Sequence, residues 1–258
     1  MGPILVLTDL HYTPDVPTEG PDPDARLAAC LAHAAKAVPE AALLVLTGDL
    51  ANKGDTASYA RLKARLLDAH VPVRLMIGNH DHRENFATVF GADMLDDLGF
   101  VQGVQDMGDT RVIFLDTLFA PPYDYPASHC GWLCETRMNW LYRQLSDAPG
   151  RVVIFLHHPP HDVGFRAMDF LKLRNGAAFH DLIARHGNVA QIICGHIHRT
   201  ISGTHRGTPF AVFKSPMMQM PLDFHTLNFE AECDDPPAFG IVLLTPEAVL
   251  VHSEDVPL

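Results

Sequence analysis

The 258-residue chain carries 31 acidic against 19 basic side chains, a net charge of −12 with histidines neutral, and no cluster of lysine or arginine. Such a surface repels a phosphate backbone, which argues against nucleic acid as principal partner. Apolar residues at 47% and charged residues at 19% argue against disorder, and no apolar run reaches membrane-spanning length, so a membrane partner is not expected. The amino terminus, MGPILVLTDLHY, has no basic start and no long apolar stretch. It reads as a first strand rather than a targeting segment, which leaves the cytoplasm as the default location.

Residues 4–8 form a short apolar run. Asp22-Pro23 then offers an N-cap and a first-turn proline for a helix running to about residue 38. Residues 43–47 form a second strand. Residues 56–69 place Tyr59, Leu62, Leu66 and Leu67 at helical spacing, and 73–77 is a third strand. Weaker strand signals follow at 101–104 and 111–115. A helix at 135–145, a strand at 152–156, a helix near 179–186 and a strand at 191–194 continue the alternation. From there the pattern changes to short β segments at 200–204, 209–213, 239–244 and 249–252. One α/β domain with a mixed sheet system is expected over residues 1–258. Two long loops, 119–130 (FAPPYDYPASHC) and 215–232 (SPMMQMPLDFHTLNFEAE), either cover a sheet edge or form a small cap. The five cysteines are scattered without zinc-type spacing; Cys130 and Cys134 are near enough in sequence to pair, but free thiols are the better reading.

The informative feature is where the polar residues fall. ILVLT ends in Asp9-Leu10-His11, and LLVLT ends in Gly48-Asp49 with Asn52 close behind. VRLMI ends in Gly78-Asn79-His80-Asp81, VVIFL in His157-His158, and QIIC in Gly195-His196-Ile197-His198. Ligands bind beyond the carboxyl ends of parallel strands, and five such ends pool carboxylate, amide and imidazole groups in one place. Oxygen and nitrogen donors without thiolate suit Mn, Fe, Zn or Co. Their number suits two ions sharing a carboxylate better than one ion. Each pair alone has an ordinary reading: Asp9 and His11 as a turn, Gly48-Asp49 as strand punctuation, His157-His158 as a satisfied buried pair. The joint order does not.

That order resembles the calcineurin-like metallophosphoesterase family, whose motifs D-x-H, G-D-x-x-N/D, G-N-H-D/E, H-x-P and G-H-x-H all occur here in sequence between residues 9 and 198. The resemblance implies a four-layer αββα sandwich of two mixed β-sheets flanked by helices, with a dinuclear site at the strand ends. It implies one divalent transition metal on Asp9, His11 and His198, a second on Asn79, His157 and His196, and Asp49 as bridge. His80 then faces the leaving group as the catalytic residue. Pro159 selects His157 over His158 as ligand, which leaves His158 behind the ligand or beside the substrate. Asp81 is expected either to orient His80 or to be a solvated loop carboxylate.

Two further stretches, GWLCETRMNWLYRQL and HHPPHDVGFRAMD, look like the bacterial class III cyclic-nucleotide phosphodiesterases and the glycerophosphodiester phosphodiesterases. Asn52 and Lys53 depart from the Asp-Arg of Ser/Thr protein phosphatases and count against that activity. The glycerophosphodiesterases' longer carboxyl-terminal extension is not expected here, which puts their oligomeric cap in question. The expected activity is hydrolysis of a small phosphodiester by a metal-bridging hydroxide, with a 3′,5′-cyclic nucleotide favoured. A glycerophosphodiester or broader mono- and diesterase activity is the alternative, and a non-catalytic scaffold the alternative of another class. Asn52, His158, Tyr123 and His225 are expected to contact substrate, with Phe119, Tyr125 and Phe224 as further surfaces for a base. A homo-oligomer is left open.

Overall fold

The computed structural model describes residues 2–119, 127–228 and 231–257. Two sheets face each other. The first has the order β11-β10-β1-β2-β3, from β1 (Ile4–Leu7), β2 (Leu43–Leu46), β3 (Val73–Leu75), β10 (Ala238–Leu244) and β11 (Val249–Asp255). The second has the order β4-β5-β6-β7-β9-β8, from β4 (Gly103–Met107), β5 (Thr110–Leu115), β6 (Val152–Leu156), β7 (Val189–Cys194), β8 (Ile201–His205) and β9 (Thr208–Val212). β1, β2 and β3 run parallel, as do β5, β6, β7 and β9; antiparallel strands close three of the four sheet edges, and the parallel β3 forms the fourth.

The apolar strands are buried on both faces, and their side chains alternate between two cores, as a period-2 chain requires. Ile4, Val6, Val45, Val153 and Phe155 fill the space between the sheets. Leu5, Leu7, Leu44 and Leu46 turn outward, under α1 (Pro23–Ala37), α2 (Thr56–Arg65) and α3 (Arg83–Phe90). Val152, Ile154 and Leu156 pack under α4 (Glu135–Ser146), α5 (Arg166–Asp169) and α6 (Gly176–His186). This is the expected αββα sandwich.

Asp22 caps α1 through the Asp24 N–H, with Pro23 in the first turn, as expected. Two helices were not anticipated, α3 and the four-residue α5. The strand signal at 101–104 is displaced: β4 starts at Gly103, because the Val101 N–H is taken by the Asp116 carboxylate at 3.0 Å. Asp116 is fully buried between Arg83 (2.8 Å) and Arg137 (3.5 Å). The Arg137 guanidinium, from the GWLCETRMNWLYRQL stretch, also donates to the carbonyls of Asp116 and Leu118 and so fixes the segment leaving β5. Cys130 and Cys134 are thiols; Cys130 donates to the Phe170 carbonyl at 3.4 Å.

Candidate metal centre

The backbone gives the site away before the side chains do. Six non-glycine residues adopt positive φ among the described residues, and five are Asp9 (55°), His11 (44°), Asp49 (49°), His196 (72°) and His198 (53°). A left-handed conformation disfavours L side chains and persists only where the surroundings impose it. Here the imposed turns sit at the carboxyl ends of β1, β2 and β7 and swing carboxylates and imidazoles back over the strand ends.

The donors converge. Asp9 Oδ1 lies 3.3 Å from His198 Nε2, which lies 3.1 Å from His11 Nε2. His157 Nε2 lies 3.3 Å from Asp49 Oδ2 and 3.2 Å from Asn79 Oδ1. Asp49 stands between these two sets, its Oδ2 also 3.9 Å from His11 Nε2. The His196 ring lies 5.1 Å from that of His157, and its backbone N–H donates to Asp9 at 3.0 Å. Other contacts orient the ligand rings: His157 Nδ1 sits 3.0 Å from the Thr47 carbonyl and His198 Nδ1 3.0 Å from the Met218 carbonyl. With each Nδ1 donating to a carbonyl, Nε2 is the nitrogen of each ring that faces the cluster, and a metal bound there would take the place of its proton. The structure thus brings together all seven residues expected to hold metal.

Burial and charge pull these groups apart. Burial opposes ionisation of Asp9 and Asp49, yet His198 holds Asp9, and His157 holds Asp49, below the usual carboxylate range. Against its own burial, His157 is pushed up to about 9 by Asp49. Burial pushes His11 and His196 down to about 3, assisted by His198 and His157 respectively. So many imidazoles around two buried carboxylates leave polar atoms unsatisfied: His11 Nδ1 and His196 Nε2 are buried without a hydrogen-bond partner. A donor set of buried carboxylates, an amide oxygen and imidazoles with spare lone pairs fits divalent transition metals.

Glycine is required where the strands nearly touch. A Cβ on Gly78 would stand 2.3 Å from Asp49 Oδ1 and 2.5 Å from His157 Nε2. One on Gly195 would stand 2.0 Å from the Thr8 hydroxyl, which donates to Asp9 at 2.6 Å. These glycines exist for close approach rather than for conformational freedom.

The cluster floors a cavity of about 430 Å³. His80 and Asn52 line it, with the His80 backbone N–H donating to Asp49 at 2.8 Å. His158 does not line it. That residue is fully buried, with Nδ1 2.8 Å from the Thr117 hydroxyl and its ring 4.7 Å from that of His196, so it backs the cluster. Asp81 fits neither expectation: it is buried and accepts from the N–H groups of Gly78, Leu50 and Ala51 and from the Tyr59 hydroxyl, tying β2 to β3. His225 is exposed, lies outside the cavity wall, and bonds through its backbone to Asp223 and Arg166; Phe224 is also exposed. Tyr123 and Tyr125 lie outside the described residues. Phe119 lines an adjoining cavity of about 490 Å³ that shares Asn79. The wall that sequence reasoning missed is His129, Met168, Leu171, Met218, Gln219 and Met220.

The family model for calcineurin-like phosphoesterases matches residues 2–200. The chain belongs to this family. It is 36% identical over 251 residues to a probable cyclic nucleotide phosphodiesterase of Rhodopseudomonas palustris, covering 96% of this chain and 90% of that protein. It is 29% identical to a probable glycerophosphodiester phosphodiesterase of Arcobacter nitrofigilis, covering 75% and 70%. A dimetal phosphatase from Danio rerio superposes with a TM-score of 0.74 over 99% of this calcineurin-like chain and 96% of its own; at 16% identity that likeness concerns the fold.

Proposed function

We propose that this chain is a metal-dependent phosphodiesterase that hydrolyses small phosphodiesters, 3′,5′-cyclic nucleotides first among them. The observation that carries the reading is the set of five left-handed residues whose side chains meet over the ends of both sheets. Asp9, His11 and His198 would hold one divalent ion, Asn79, His157 and His196 the other, with Asp49 shared. When bound, two such cations neutralise charge on a phosphodiester and bring the pKa of a coordinated water towards neutrality. Their identity among Mn, Fe, Zn and Co is left to metal analysis.

The protein's own groups do the rest. His80, at the cavity wall, delivers a proton to the departing alkoxide oxygen through the nitrogen that faces the cavity. Asn52 stands beside it at the substrate. Residues 215–220, with His129, form a small cap: Met218, Gln219 and Met220 from one segment and His129 from the other limit access of water to the cavity.

The choice of diester rests on that wall. Met168, Leu171, Met218 and Met220 offer soft apolar surface against which a flat base packs, whereas a glycerol unit needs polar partners. The name of the Rhodopseudomonas relative agrees. A glycerophosphodiester remains the second reading, on the name of the Arcobacter relative. A non-catalytic scaffold is disfavoured because the chain keeps every metal donor and His80.

The test is metal analysis joined to a substrate comparison. Protein loaded with manganese is assayed on cyclic AMP, glycerophosphocholine and a phosphomonoester. About two ions per chain and fastest turnover of cyclic AMP are expected. A faster rate on glycerophosphocholine replaces the substrate, a faster monoester rate replaces the reaction class, and absence of both metal and turnover refutes the reading. Asp49→Asn is expected to lose both ions and nearly all activity.

A further inference from the structure

A second cluster of histidines lies outside the cavity. His161 follows β6, His180 is in the middle of α6, and His205 is the last residue of β8. His161 Nδ1 and His180 Nε2 are 3.1 Å apart. The His161 and His205 rings stack at 4.2 Å and 7°, and the His180 and His205 rings approach to 4.4 Å. One nitrogen from each residue lies within 4.8 Å of the other two. His161 and His180 are 5% and 2% exposed, and none of the three lines the cavity floored by Asp49.

Two features make this more than a packed layer. The first is an orphan: His161 Nε2 is buried with no hydrogen-bond partner. Either tautomer of the His161–His180 contact leaves it unsatisfied, because that contact engages Nδ1. Neither nitrogen of His161 is held by a carbonyl or carboxylate, so the ring can take either tautomer and offer Nδ1, the nitrogen beside His180, to a cation. Nε2 has no partner, and Nδ1 faces another imidazole nitrogen rather than a fixed acceptor.

The second is the spacing. Two imidazole nitrogens on one tetrahedral zinc, at 2.0–2.1 Å from the metal, stand about 3.3 Å apart. The observed separation is 3.1 Å. Protonation does not compete for the lone pairs of the buried pair: burial, then His205, pushes His161 down to about 3 and His180 to about 4.

We propose that His161, His180 and His205 bind one zinc-class divalent cation at a site separate from the dinuclear cavity. A set of nitrogen donors alone selects zinc, cobalt, nickel or copper over magnesium or calcium. His205, half-buried where β8 turns into β9 at Arg206-Gly207, turns out of its stack to complete the set. A fourth position is left to water or a small anion. The ion would tie the β8–β9 hairpin to α6 and to the segment that follows His157.

Zinc alone is the probe. Metal-stripped wild-type protein, His205→Ala and His205→Gln are equilibrated with zinc, freed of unbound metal and analysed for ion content. Both variants are expected to hold about one ion fewer per chain than wild type, with turnover of a diester unchanged and a smaller zinc-dependent rise in Tm. Cobalt substitution is expected to give a wild-type-minus-variant difference spectrum of tetrahedral nitrogen ligation. Equal ion content in wild type and both variants would show the rings to be a packing stack and end the proposal. So would an ion lost together with activity, since the dinuclear centre would then be the site affected. The count is a difference between folded proteins, so it stands even if the phosphodiesterase reading fails.

Discussion

His80 Nδ1 lies 2.9 Å from the backbone carbonyl oxygen of Asn52, and that contact decides which ring nitrogen serves the cavity. A carbonyl only accepts, so Nδ1 carries a proton and Nε2 is left for the substrate. The ring is further held edge-on between His11, at 4.7 Å, and His129, at 5.6 Å. Replacing His80 with alanine is expected to slow diester turnover by about 10²- to 10⁴-fold while both ions remain bound. Asn52→Ala keeps the carbonyl that orients His80 and is expected to cost no more than about tenfold. Rates on bis(p-nitrophenyl) phosphate together with metal content decide it. A His80 variant with normal turnover removes this residue from the mechanism.

Asp81 is a structural tie rather than a partner of His80. Its carboxylate accepts from Gly78 at 2.8 Å, from Leu50 and Ala51 at 3.1 Å, and from the Tyr59 hydroxyl at 2.9 Å. Burial and the neighbouring Asp49 push it up to about 6, against four donors that favour the anion. Asp81→Ala leaves these donors buried and unpaired and is expected to cost about 3–5 kcal/mol. Tyr59→Phe removes one donor with its acceptor left partnered, at about 1 kcal/mol. Urea unfolding measures both. Comparable losses from the two substitutions would contradict the four-donor picture.

Much of this site was legible because each motif follows an apolar run, and the end of a parallel strand is where such residues must meet. The five donor segments followed from that; the two-sheet sandwich followed from the family resemblance, and the two long loops stood out by length and composition alone. Backbone handedness did not: nothing in Asp9 or His196 announces a left-handed φ, which the neighbouring strand ends impose. α3 has Phe86, Val89 and Phe90 at helical spacing, but its eight residues give the period little more than two turns in which to show. α5, at four residues, is shorter than any period can reveal. His225 and Phe224 were picked for their rings, yet composition does not say which way a loop residue points. Met218 and Met220, chemically silent in sequence, occupy the wall instead.

A polar network next to the site gives a pH signature. Asp24 accepts from Arg65 at 2.5 and 2.9 Å and from the Tyr12 hydroxyl at 3.1 Å, joining α1 and α2 to the segment that follows His11. The hydrogen bonds from Arg65 lead in holding its carboxyl below the usual 3.8. A folded-state value below the unfolded one adds stability above 3.8 that is lost as pH falls through the folded value. Both partners are about a quarter exposed, so the contribution is small, about 0.5–1 kcal/mol. Asp24→Asn is expected to lower stability at pH 7 by that amount and to converge with wild type as pH falls below 3.8 through the folded-state value. A constant gap between the two unfolding curves would show that charge is not the cause.

Gly78 tests how tightly the strand ends are packed around the donors. Its missing side chain makes room for Asp49 on one side and His157 on the other, and a methyl group there would also meet the Asp49 backbone nitrogen at 2.7 Å. Asp49 has little freedom to retreat: its Oδ1 takes the His80 N–H, and its backbone carbonyl takes the His11 N–H at 3.0 Å. His157 is equally held, by the Thr47 carbonyl. Gly78→Ala is therefore expected to displace the two donors from each other rather than to unfold the sheet. Its far-UV circular dichroism should match wild type, while ion content falls and turnover drops at least about 100-fold, the scale expected of a misplacement near 1 Å. Full metal content and full turnover in the alanine variant would mean that β2 and β6 give way more easily than their contacts imply.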